Sequence, residues 1–98
     1  MADKRTQTIT RGKEIAANFF ISAPGAKSVS IAGTFNNWNA NSFKLTRDNQ
    51  GNWKGSIRLL PGRYEYRAFV DGHWADDIGA RETAPNEFGT RNAVLQLK

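Results

Sequence analysis

Turn-forming residues interrupt this chain about every ten positions: Pro24-Gly25, the asparagines from Asn36 to Asn41, Asn49 to Asn52, Pro61-Gly62, Asp71-Gly72 and the stretch from Ala84 to Gly89. Segments this short hold strands and leave no room for a sustained helical stripe. Between the breaks, apolar residues recur at every second position. Ala17, Phe19 and Ile21 alternate with Asn18, Phe20 and Ser22, and Val29, Ile31 and Gly33 alternate with Ser28, Ser30 and Ala32. Trp53, Gly55, Ile57 and Leu59 alternate with Lys54, Ser56 and Arg58. That is the period of a strand with one face in a core and the other in water. Tyr64, Tyr66, Ala68 and Val70 share one side of a further strand, and Glu65, Arg67 and Phe69 share the other. Asp71-Gly72 closes that strand as a type I′ hairpin, because both residues tolerate positive φ, and His73 and Trp74 begin the return. Ala93, Leu95 and Leu97 alternate with Asn92, Val94 and Gln96 in a last strand. Seven or so such strands predict an all-β fold, two antiparallel sheets packed as an immunoglobulin-like β-sandwich, with a small closed barrel as the alternative.

The chain has 98 residues, enough for one core, and 39% of them are hydrophobic, including 11 aromatics, so it can fold without a second domain. It has no cysteine, which excludes a disulfide framework and a thiolate metal site. No apolar run approaches the roughly 18 to 20 residues of a membrane span. Residues 1–13 also lack the apolar segment of a secretory signal, so the expectation is a cytoplasmic protein without a membrane partner. The net charge of +5 invites a nucleic-acid reading, but most of it is local. Lys4, Arg5, Arg11 and Lys13 face only Asp3 within residues 1–13, whereas the other 85 residues hold 10 basic and 8 acidic side chains with the signs interleaved. Residues 1–13 therefore read as a flexible basic tail and 14–98 as the folded domain. Phosphate binding needs cations gathered on one face, so no nucleic-acid partner is expected.

Nothing in the sequence builds a catalytic centre. The single His73 follows a hairpin turn and has no nucleophile elbow or cysteine to work with. Asp71 already has a turn role, and adjacent Asp76 and Asp77 point to opposite sides if extended, which argues against a carboxylate pair or a cation site. No enzyme activity, metal or cofactor is expected. What stands out is aromatic rings in loops: Trp38 among four asparagines, Trp74 beside a hairpin tip, and Phe88 in a Pro-Asn-Glu-Phe-Gly segment. Any one alone reads more simply as a lid over the core; three together call for a ligand. An exposed indole covers the apolar C–H face of a pyranose, while amide and guanidinium groups satisfy its hydroxyls. Each stacked sugar removes roughly 80 to 100 Å² of apolar surface, which is about 2 to 2.5 kcal/mol before ordering costs. Two stacks with a few hydrogen bonds give micromolar to millimolar affinity, useful on polymers that offer many sites.

Three stretches go further: Gly33-Thr34-Phe35-Asn36-Asn37-Trp38, then Tyr64 through the Val70-Asp71-Gly72 turn to His73-Trp74, and Phe88-Gly89-Thr90-Arg91-Asn92. In order and spacing they resemble the glycogen-binding domain of the AMP-activated protein kinase beta subunit. That domain is a family-48 carbohydrate-binding module related to the isoamylase N-terminal, or early-set, domains. The similarity runs over about residues 18–98. It implies that Trp38 and Trp74 are the two sugar platforms, that Arg67 stands where the family has a lysine, and that Phe88 replaces a protruding leucine. It also implies that Asn92 binds hydroxyls, with Thr90 beside it. Ala68 replaces an aromatic common in the family, a difference expected to be absorbed by core packing. The alternative for Arg67 is a surface salt bridge to Asp76 or Asp77.

The expectation from the resemblance is a non-catalytic module that binds α-1,4-linked glucan such as glycogen, starch or maltooligosaccharides. The competing expectation is a regulatory or packing module that contacts a glucan-metabolising enzyme or a kinase without holding sugar tightly.

Overall fold

Period-two alternation is realised most plainly in β1 (Ile15–Ser22), where Ala17, Phe19 and Ile21 are buried and Asn18, Phe20 and Ser22 are exposed, in a computed structural model that describes residues 13–75 and 82–98. The strands that follow are β2 (Val29–Gly33), β3 (Thr46–Arg47), β4 (Asn52–Leu59), β5 (Gly62–Val70), β6 (His73–Ala75), β7 (Thr83–Pro85) and β8 (Arg91–Leu97), with a 3-10 turn at Thr34–Asn36. They form two antiparallel sheets: a three-stranded one in the order β1-β4-β3, and a five-stranded one in the order β2-β5-β8-β7 with β6 also paired to β5. The sheets pack face to face as a sandwich, not a closed barrel. Among the described residues no helix is long and apolar enough to cross a membrane.

The core lies between the inward faces. Ala17, Phe19, Ile21, Val29, Ile31, Leu45, Trp53 and Ala68 are its buried members. Phe19 meets Tyr66 and Phe43 edge-on, with ring centroids 5.1 and 5.5 Å away, and the buried Trp53 satisfies its indole N–H on the Ala23 carbonyl at 3.1 Å. Ala68 sits fully buried opposite Ile31, so the position that carries an aromatic in the resembling family is here a small core residue.

β2 departs from expectation. Its alternation predicted a solvated face for Ser30 and Ala32, yet all five of its residues are buried. The reason is cross-strand: Ser30 lies opposite Phe69 and Ala32 opposite Arg67, so short side chains sit beneath long ones. The strand is also flanked on its other edge, where Ile31 donates to the Phe43 carbonyl and Leu45 donates to that of Val29.

β5 organises the outer surface. It pairs with β2 over Tyr66–Val70, with β8 over Gly62–Tyr66 and with β6 over Ala68–Val70. Arg67, facing away from the core, thus stands where β6 and β8 meet β5. Asp71 and Gly72 take φ of 50° and 83°, as a type I′ turn requires. The Asp71 carboxylate additionally accepts the backbone N–H groups of Lys27 and Ser28 at 2.8 and 2.9 Å, which hold its pKa below the usual aspartate range. Residues 1–12 of the expected tail, and Asp76 and Asp77, the salt-bridge partners of Arg67 in the alternative reading, lie outside the described residues.

Candidate functional site

Trp38 is placed by a turn that the sequence builds from Gly33 and Asn36. A Cβ on Gly33 would lie 2.5 Å from the Glu65 carbonyl oxygen and 2.9 Å from the Tyr66 Cβ, so only glycine allows β2 to run this close to β5 before the chain turns out. The Asn36 side-chain oxygen accepts the Gly33 N–H at 2.9 Å, while its Nδ2 donates to the Ile31 carbonyl at 3.1 Å and to the Ser42 hydroxyl at 3.0 Å. Asn39 Oδ1 accepts from the Asn41 N–H at 2.8 Å. The Asn36 carboxamide and the Asn39 side-chain oxygen are therefore engaged in making the turn. Asn37 and Trp38 both adopt left-handed backbone, with φ of 55° and 60°. That conformation is costly for a residue as bulky as tryptophan. It leaves Trp38 37% exposed.

Trp74 comes from the return strand of the hairpin. It lies opposite Phe69, with the rings 4.9 Å apart at 63°, and remains 43% exposed. Phe69 thus supports the indole in an edge-type contact. The Arg67 guanidinium lies over the same indole, 5.5 Å from its centroid.

The third wall is the loop between β7 and β8. Asn86 Oδ1 accepts the N–H groups of Phe88 and Thr90 at 3.0 and 3.2 Å, and Asn86 Nδ2 donates to the Thr90 hydroxyl and to Asn92 Oδ1, both at 2.9 Å. Asn92 Nδ2 in turn donates to Glu65 Oε1 at 3.0 Å, and Glu65 pairs with Arg63 at 2.8 Å. The Asn92 and Arg63 hydrogen bonds to its carboxylate hold the Glu65 pKa below the usual glutamate range. Asn92 is only 7% exposed. With one N–H and spare lone pairs on its oxygen, it keeps limited capacity for a ligand. Phe88, by contrast, is 79% exposed.

All six residues singled out in the sequence, Trp38, Arg67, Trp74, Phe88, Thr90 and Asn92, line one groove of about 710 Å³, together with Asn86 and Glu87. Asn86 and Glu87 were missed. The signal for Asn86 was present, since an asparagine opening a Pro-Asn-Glu-Phe-Gly turn uses its side chain to hold the backbone two residues on. For Glu87 there was none. Among the described residues the groove has aromatic walls, the Arg67 guanidinium, the Glu87 carboxylate and a few hydroxyl and amide groups, a set suited to a polar ring with apolar faces.

The family described as the glycogen recognition site of AMP-activated protein kinase matches residues 18–98. The chain is 36% identical over 74 residues to 5′-AMP-activated protein kinase subunit beta-1 of Rattus norvegicus and 35% identical over 74 residues to that of Homo sapiens. It is 36% identical over 75 residues to subunit beta-2 of Mus musculus. Each similarity covers 76% of this chain and 26% of the relative, so the chain spans about a quarter of the length of these relatives.

Proposed function

The chain belongs to the glycogen-recognition domain family of AMP-activated protein kinase, and from that premise we propose that residues 14–98 form a non-catalytic module that binds α-1,4-linked glucan in the cytoplasm. Trp38 and Trp74 stack on glucose rings, Arg67, Thr90 and Asn92 hold hydroxyls, and Phe88 enters the concave side of the curled chain. The observation that carries this reading is the outward turn of both indoles into a single groove. An α-1,4 chain curls and can wrap around the protruding Phe88 within such a groove, whereas a flat β-1,4 chain cannot. Phe88 is larger than the family's leucine and fills more of the curve.

Retardation in gels containing glycogen, against glucan-free gels, tests the proposal. The protein is expected to be slowed, and Trp74→Ala to run as in the blank gel while keeping its thermal midpoint. Unchanged mobility of the unmodified protein overturns it.

A second reading, contact with a kinase or a glucan-metabolising enzyme, is favoured by Phe20. This side chain is 57% exposed on the three-stranded sheet, on the side of the sandwich opposite the groove. The two readings are compatible, because they use different faces.

A further inference from the structure

Phe88 stands in solvent with almost no side-chain packing to hold it, so its position is dictated by the backbone of its loop. That backbone is held by one residue, through its carboxamide and its main chain. Asn86 Oδ1 accepts the N–H groups of Phe88 and Thr90, and the Asn86 main chain closes the loop by donating to the Thr90 carbonyl at 3.0 Å and accepting from Gly89. Through Nδ2, Asn86 reaches Asn92, and Asn92 reaches Glu65 on β5, so the loop is fastened to the central strand by consecutive side-chain bonds. Gly89, at φ 82°, is the loop's most permissive residue and would become a pivot once those bonds were lost.

We propose that Asn86 is the positioning residue of the groove: its carboxamide pre-orders the 86–90 loop so that Phe88 stands in the path of the ligand, and this sets the preference for curved over extended glucan. The inference rests on the glucan-binding reading above. Asn86 need not touch the sugar. It lowers the ordering cost that the ligand would otherwise meet on fixing a loose loop.

The test is calorimetric titration of β-cyclodextrin into the unmodified protein, Asn86→Ala, Phe88→Ala and the double variant, with amide hydrogen exchange at Phe88 and Thr90. Asn86→Ala is expected to weaken β-cyclodextrin binding about tenfold through loop disorder alone. Its thermal midpoint should stay within about 2 °C, because the affected bonds lie in a surface loop. Phe88→Ala should cost little more in the Asn86→Ala background, since the wedge is already misplaced there. The Phe88 and Thr90 amides should exchange faster. Asn86→Asp keeps the acceptor oxygen and loses the donor to Asn92, so it should fall between, and it carries the test if Asn86→Ala does not fold. Additive losses, or unmodified affinity in Asn86→Ala, overturn the positioning role. If the unmodified protein binds no glucan, the functional reading fails by itself; unchanged Phe88 and Thr90 exchange in Asn86→Ala then removes the loop-ordering role as well.

Discussion

The Arg67 guanidinium rests 5.5 Å from the centroid of the Trp74 indole, so a cation and an exposed aromatic wall of the groove form a single unit. The contact adds to the edge-type support that Phe69 gives the ring. Cation–π pairs at partly exposed sites contribute about 0.5 to 1 kcal/mol, and a hydrogen bond from the guanidinium to a sugar hydroxyl adds about 1 kcal/mol. Arg67→Ala should therefore weaken maltoheptaose binding about tenfold. Arg67→Lys keeps the charge but not the planar face, and should recover only part of the loss. Titration calorimetry on the three proteins decides this, and an Arg67→Ala variant with undiminished affinity removes the residue from the site.

Trp38 is held in left-handed backbone, which costs a non-glycine residue about 1 to 2 kcal/mol. The strain persists because the Asn36 bonds and the Trp38 N–H to Gly33 carbonyl bond at 2.9 Å fix the turn. Trp38→Ala and Trp38→Gly remove the same indole, so both should lose glycogen retention. Only glycine relieves the backbone, and Trp38→Gly should be more stable than Trp38→Ala by about 1 kcal/mol in urea unfolding. Equal stabilities would mean that the turn stores no strain.

The fold was legible where alternation has one meaning. In β1 and β4 every second residue faces a core and the rest face water, so the period alone locates the sandwich's inner faces. It failed at β2, because burial of Ser30 and Ala32 comes from Phe69 and Arg67 on a partner strand nearly forty residues away, and no local pattern reports what lies across a sheet. That Trp38 and Trp74 open onto one groove was legible because tryptophans beside turn residues have few local reasons to be there. The support beneath them was not. Asn86 and Asn36 look alike in sequence, yet one organises a wall of the groove and the other a turn, and the difference arises only once β8 brings Asn92 beside Asn86.

Acid should loosen the third wall before it unfolds the protein. The Asn92 and Arg63 hydrogen bonds favour ionised Glu65 and lower its pKa in the folded state. Because the folded pKa is depressed, the contribution is complete above the range in which glutamate ionises in an unfolded chain, and is lost as pH falls through the lower folded value. Glucan affinity should thus be level from neutral pH down to the ordinary glutamate range and decline below it. Glu65→Gln should flatten the decline, because its amide no longer titrates. Affinity measured across that range in both proteins is the check, and parallel curves would exclude Glu65 as the cause.

Phe20 separates sugar binding from any docking on the opposite face. Its ring lies on the outer side of β1, exposed, with the Lys54 ammonium 5.8 Å from its centroid, while the neighbouring Phe19 fills the core. Removing an exposed ring costs little, within about 0.5 kcal/mol for a surface substitution. Phe20→Ser should therefore keep its thermal midpoint and its retardation by glycogen, since among the described residues none that lines the groove lies on that sheet. If a kinase or glucan-metabolising enzyme docks there, the same variant should lose that complex in a pull-down with the purified partner. A fall in glycogen retention on Phe20→Ser, with the fold intact, would show that sugar reaches both sides of the sandwich and that the groove is not the whole site.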